Sequence, residues 1–256
     1  KLRTKFITGC VEKGIRQREA EDMWERFEYF SGYGFNKSHA VSYSAISFQC
    51  AWLYNYYPVE WMASFLDKEP EKRKEQAINI AKSNGFEIVE ADVNTSSFVW
   101  EIDPDDSKRL YQPLSGLKGL GDAAIQQIVD NRPFTDIEDF LFNENIVYSK
   151  LNKKALDALI RSGAMNSLMD ERFSGRKHFW SACAVDRVYS KKKFLENIET
   201  YRSEGEFSVE EEIDNLTTLT GIFPMHLVMT DAVRNKLEGY FVPAISDYDP
   251  ELGLVW

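Results

Sequence analysis

Cysteine and histidine are both scarce in this chain, three of each in 256 residues. Cys10, Cys50 and Cys183 stand far apart and pair at no metal-ligand spacing, which argues against a disulfide-stapled secreted fold and a zinc site. His178 and His226 read as structural or exposed, and no Ser, Cys or His has the surroundings of a nucleophile. Long apolar runs are missing too, so neither a membrane span nor a signal peptide is expected and the chain reads as cytoplasmic. Positive charge falls short of negative, 31 residues against 41, for a formal net charge of −10. That deficit argues against coating nucleic acid over the whole surface, while leaving room for a local basic face.

What is present suffices for a sizeable core. Hydrophobic residues make up 43% and aromatics 14%, within a length suited to one large domain or two modest ones. The chain starts on Lys1 and stops in the apolar run "ELGLVW", and is expected to be a piece of a longer polypeptide. Residues 1–31 have helical spacing, with Met23, Phe27 and Phe30 on one face. Gly32 and Gly34 then break the pattern. Ser38–Tyr57 is apolar almost all round, which predicts a central, buried helix covered by its neighbours. Pro58 interrupts it and "VEWMASFLD" resumes, followed by a charged, solvated helix closed by Asn84 and Gly85.

"FEIVEADVN" and "RLYQPLSG" alternate like short strands around the turn "DPDDSKR". That turn lacks the glycine and distal glutamate of a calcium loop. Several short helices follow to Met169, and another helical stretch runs through the basic segment Arg172–Arg202. Its cations read equally as a DNA-facing surface or as partners for the acidic run "EGEFSVEEEIDN", itself expected to begin as a linker. "YFVPAISDYDPELGLVW" predicts strand, turn and strand.

Two stretches carry chemistry. In "LSGLKGLGDAAIQQIVDNR", Leu117 and Leu120 interleave with Gly119 and Gly121 ahead of a helix whose inner side holds Ala124, Ile125, Ile128 and Val129. This is a helix-hairpin-helix pattern: glycines let the backbone turn sharply and approach closely, and the first amides of the helix can donate to a phosphate. Gly116, Lys118, Gly119 and Gly121 are the candidate DNA contacts, with Lys150, Lys153 and Lys154 flanking. A glycine-rich turn between packing helices is the plainer reading. In "GYGFNKSHAVSYSAISFQ", a basic pair, Lys37 and His39, enters a helix start, where an anion is favoured.

"YGFNKSHAVSYSAISFQCAWLYNYYPVEWMASFL", with "LSGLKGLGDAAIQQIVDNRPF" and "LNKKALDALIRSGAMNSL", closely resembles the C-family replicative DNA polymerases, the alpha subunits of bacterial DNA polymerase III. The match runs from about Lys1 to Leu168, and "LTGIFPMHL" is faintly similar to the segment before that family's oligonucleotide-binding fold. The resemblance implies a mainly α fold with a small β element: fingers over 1–113, a helix-hairpin-helix domain over 114–205, and a linker with the start of an OB-like domain over 206–256. It implies an incoming deoxynucleoside triphosphate at Asn36, Lys37, Ser38, His39 and Tyr43, with double-stranded primer-template DNA on the hairpin. It also implies magnesium for the full-length enzyme, held by palm aspartates expected before Lys1, so this piece is expected to be inactive alone. A sliding clamp and other replisome subunits are further candidate partners, although no clamp-binding peptide is identifiable between Arg172 and Ile213. Two alternatives stand beside this reading: a helix-hairpin-helix module of a repair protein, and a helical interaction scaffold.

Overall fold

The computed structural model describes residues 1–33, 36–186 and 188–240. It divides into two compact units, residues 1–58 and 59–256.

The first unit holds helices α1 (Leu2–Glu12), α2 (Gln17–Tyr33) and α3 (Lys37–Tyr56). Gly14, at φ 87°, turns the chain between α1 and α2, a conformation glycine adopts without strain. The two helices pair through Phe6, which meets Trp24 at 5.5 Å and Phe27 at 5.6 Å between ring centres. Gly32 does not end α2, which runs on to Tyr33.

Helix α3 corrects the expectation of a buried central helix. Its limits match Ser38–Tyr57 within a residue, yet none of its residues is buried. Val41 is 60% exposed and Phe48 70%. The physical reason is simple. An all-round apolar helix needs cover on every side, and α1 and α2 do not supply it.

The second unit begins with α4 (Pro58–Lys68) and α5 (Lys74–Ser83). Met62, Ala63 and Leu66 of α4 and Ala77, Ile78 and Ala81 of α5 form a small core with Trp100 and Leu110. Helix α5, read as solvated, is therefore amphipathic; it closes through Asn84 and Gly85, at φ 82°, as its sequence predicts.

Three short strands follow: β1 (Glu87–Val89), β2 (Glu101–Ile102) and β3 (Arg109–Tyr111), in the order β1-β3-β2. β1 pairs parallel to β3, with Glu87 opposite Arg109, and β2 pairs antiparallel, with Glu101 opposite Tyr111. Two-residue β2 was not anticipated. In the intervening turn the Tyr111 hydroxyl donates to Asp103 at 2.7 Å, and this bond holds the carboxyl below its ordinary range.

The larger core gathers α6 (Asp122–Asn131), α7 (Ile137–Leu141), α8 (Lys153–Arg161), α9 (Arg176–Trp180) with the π turn Ser181–Val185, and α10 (Lys191–Tyr201). Helix α8 is strongly amphipathic, burying Ala155, Leu156, Ala158, Leu159 and Ile160. His178 is fully buried between α9 and α10: Nδ1 accepts from the Ser174 amide at 3.0 Å and Nε2 lies 2.7 Å from the Ile198 carbonyl. His226 is exposed.

The acidic run is a second correction. It folds as α11 (Val209–Thr220) rather than a linker, because Ser208 and Glu211 form a reciprocal capping box and Leu216 and Leu219 are buried. Two cations of the basic segment pair with its carboxylates: Arg176 with Glu212, and Lys177 with Glu211 at 2.7 Å. Arg172 pairs elsewhere, with Asp170 and Glu138. α12 (Met225–Val228) and α13 (Asp231–Gly239) complete the described chain. The strand-turn-strand expectation lies almost wholly beyond residue 240, outside the described residues.

Candidate nucleic-acid interface

The helix mouth at α3 is capped by its own chain. Asn36 Oδ1 accepts from the Ser38 amide at 3.0 Å, the His39 amide at 3.5 Å and the Ser38 hydroxyl at 2.6 Å. This is an N-cap, and it occupies two of the amides that an anion would need. Asn36 and Ser38 therefore serve the helix in this structure. Lys37, His39 and Tyr43 remain on its surface, and the His39 and Tyr43 rings stand 4.3 Å apart between centres. The spacing of four residues brings those rings to one face.

The hairpin is built more completely. Leu117 and Leu120, at 5% and 8% exposure, anchor it in the larger core, as do Ala124, Ile125 and Ile128. Gly119 takes φ 101°, and a Cβ there would lie 3.5 Å from Lys154 Cε and 3.6 Å from Ala158 Cβ. Glycine at 119 thus serves both the turn and close packing on α8. Gly121 is the N-cap of α6, and a Cβ there would meet nothing within 4 Å. Among the described residues, the amides of Gly119, Gly121, Asp122 and Ala123 have no protein acceptor. A short row of unpaired donors at the positive end of a ten-residue helix results.

The flanking residues divide. Lys154 lays its stem against Gly119, so it stands beside the donor row. Lys150 is exposed in the turn before α8. Lys153 is diverted: its ammonium donates to the Val185 carbonyl at 2.6 Å. Lys118 is diverted as well. Its amide donates to the Leu219 carbonyl at 2.7 Å, and a methyl group on Gly221 would lie 3.2 Å from its Nζ and 3.0 Å from Glu71 Oε1. Its charge rests near the negative end of α11. The Gly116 amide is spent on the Pro113 carbonyl. Asp122 sits in the first turn of α6 and opposes an incoming phosphate.

Sequence reasoning missed the brace behind this interface. Asn94 Nδ2 donates to the Phe134 carbonyl at 3.0 Å while its Oδ1 accepts from the Phe134 amide at 2.7 Å. Arg132 Nη1 reaches the Ser96 carbonyl at 2.9 Å, so the chain leaving α6 is tied at two points. The signal was available, because Asp92 followed two residues on by Asn94 is an Asx-turn pattern, and Asp92 accepts from the Asn94 amide.

Residues 85–174 match the family model described as helix-hairpin-helix motif. The geometry and that match define a helix-hairpin-helix domain within the second unit. The chain is also similar to DNA polymerase III subunit alpha of Neisseria meningitidis, 34% identical over 178 residues, 67% of this chain and 15% of the relative. That of Thermus aquaticus is 34% identical over 176 residues, 66% of this chain and 14% of the relative. That of Pseudomonas aeruginosa is 35% identical over 174 residues, again 66% and 14%. Over about two thirds of its length the chain is thus similar to DNA polymerase III alpha subunits, and it spans about 15% or less of the length of these curated relatives.

Among the described residues, no group of three or more His, Cys, Asp and Glu side chains could hold a metal ion. No helix among them is long and apolar enough to cross a membrane.

Proposed function

We propose that this chain serves a cytoplasmic DNA-directed DNA polymerase, a nucleotidyltransferase of DNA replication, by holding duplex primer-template and presenting the incoming nucleotide. The row of unpaired amides opening α6 carries the reading, supported by Lys154 beside it. Amides reach phosphates without reading bases, so contact is independent of sequence. The net charge of −10 and Asp122 keep the binding weak. In this reading the fingers span 1–113, the helix-hairpin-helix domain 114–205, and an OB-like domain starts within 206–256. The bare apolar surface of α3 fits a helix covered by other parts of a longer polypeptide. The palm and its magnesium belong to those parts, and the sliding clamp is a partner of the whole enzyme.

Duplex binding, measured by fluorescence anisotropy on random-sequence DNA, is expected to fall steeply as salt rises from about 50 to 200 mM. An affinity indifferent to salt would sink the reading. The nucleotide half has its own test, in the full-length enzyme. Lys37→Ala is expected to raise KM for the triphosphate several-fold while leaving duplex affinity unchanged, because Lys37 is exposed beside His39 and free to meet a phosphate. Loss of duplex affinity with an unchanged KM would put Lys37 on the other ligand.

A further inference from the structure

The hairpin, α8 and α11 form a closed triangle of contacts. Gly119 of the hairpin packs on α8, where a Cβ would lie 3.6 Å from Ala158 Cβ. Helix α8 grips α11 through Arg161, whose Nε donates to Asn215 Oδ1 at 2.7 Å and whose Nη2 lies 4.0 Å from Asp214. Helix α11 returns to the hairpin through its Leu219 carbonyl, which accepts from the Lys118 amide at 2.7 Å.

The two contacts of α11 differ in kind. The last four carbonyls of an α-helix have no partner within it, and Leu219 supplies one of these in α11. The hairpin satisfies that carbonyl from outside, one residue before Gly221 ends the path at φ 73°. The Lys118 peptide is thereby fixed immediately before the row of unpaired donors opens at Gly119. Asn215 holds the middle of α11. It is only 3% exposed, so its bond to Arg161 forms away from water, where a lost partner is not replaced.

We propose that α11 is a positioning element for duplex binding, with Asn215 setting its register on α8 and Lys118 passing that register to the hairpin. The inference rests on the duplex reading given above and adds a role for Lys118 as an anchor rather than a phosphate contact. Donors fixed in advance lose little freedom when a phosphate arrives, so they bind more tightly than the same amides on a loose turn. Packing on α8 restrains the hairpin from one side. Without the Leu219 carbonyl the Lys118 peptide is free to rotate, and the amides that follow rotate with it.

The test uses the whole 256-residue chain. In the unaltered protein, hydrogen exchange followed by NMR should find the Lys118 amide at least about tenfold slower to exchange than those of Gly119, Gly121, Asp122 and Ala123. Asn215→Leu removes the acceptor of Arg161 while keeping a side chain of similar size. It should speed exchange at Lys118 and weaken binding of random-sequence duplex about three- to tenfold, at a temperature where urea curves show the variant folded. Asn215→Asp retains the acceptor oxygen and should restore affinity to within about twofold. Leu66→Ala, which destabilises the smaller core instead, should leave affinity unchanged. A fast-exchanging Lys118 amide in the unaltered protein would overturn the proposal without any variant. So would equal losses of affinity in Asn215→Leu and Leu66→Ala. Gly121→Val separates this inference from the reading beneath it: if it weakens binding and Asn215→Leu does not, the positioning role falls alone. If neither variant weakens binding, the duplex reading falls and the positioning role with it.

Discussion

Helices α3 and α8 have comparable apolar content but different fates. In α8 the apolar residues Ala155, Leu156, Leu159 and Ile160 gather on one side and disappear into the core, while Lys153, Lys154 and Asp157 stay outside. In α3 apolar residues surround the axis, and none is buried. A one-sided pattern is satisfied by one neighbour, whereas an all-round pattern needs several. The residues 59–240 that are described carry the covering partners of α8 themselves, in a core that runs from Val93 to Ile198. Among the described residues of 1–58 no such core forms, and many aromatics there, Phe27, Phe30, Phe48 and Trp52 among them, are exposed.

The sharpest way to break this comparison is to truncate one residue on each helix. Leu159 is fully buried, so Leu159→Ala should cost about 2–5 kcal/mol through lost transfer energy and a cavity. Ile46, 54% exposed, should cost about 0.5 kcal/mol or less on the same change. Urea denaturation followed by helix content gives both values. Equal losses would mean that α3 is covered after all.

The two ends of the hairpin make a finer pair. Gly119→Val forces a β-branched residue to φ 101° against Lys154 and Ala158, and should cost about 1–3 kcal/mol in stability. Gly121→Val, at φ −94° with open space beside it, should leave stability nearly intact. It should still weaken duplex binding about three- to tenfold by keeping a phosphate off the neighbouring amides. Unchanged binding in the Gly121 variant would show that the donor row is not the contact.

What could be read beforehand divides along the same line. The hairpin, the inner face of α6 and the start of α8 were legible because turn glycines and one-sided spacing are local signals. The limits of α3 were legible for the same reason, since a glycine break precedes it and Pro58 follows it. Its exposure was not, because spacing reports what a helix wants to bury and not what is there to cover it. The acidic run looked like a linker because its charge dominates its composition, whereas the Ser208–Glu211 cap and the cations of α9 make it a docked helix. Lys118 and Lys153 look identical to Lys154 in sequence; only the tertiary fold turns the first two toward their own chain.

The smallest effect expected contrasts ion pairs in the two units. In the second unit, Arg172 donates through Nη1 to Glu138 at 2.6 Å and through Nε and Nη2 to Asp170 at 3.0 and 2.7 Å. Its guanidinium also lies 5.7 Å from the centre of the Phe194 ring. These hydrogen bonds hold both carboxyls below their ordinary range, against a smaller opposing effect of burial. A carboxyl depressed in the folded state contributes stability that is fully present above its unfolded pKa of about 4, and this is lost as pH falls through the folded value. The urea midpoint should therefore drop between about pH 5 and pH 2, and Arg172→Gln should flatten that part of the curve while lowering stability at neutral pH. In the first unit, Arg16 pairs with Glu19 three residues on, with the arginine side chain 84% exposed. Solvent screens such a pair, so Arg16→Gln should leave the midpoint and its acid limb where they were. An acid limb that survived Arg172→Gln would assign the loss to other carboxylates. One that disappeared with Arg16→Gln would reverse the contrast between the two units.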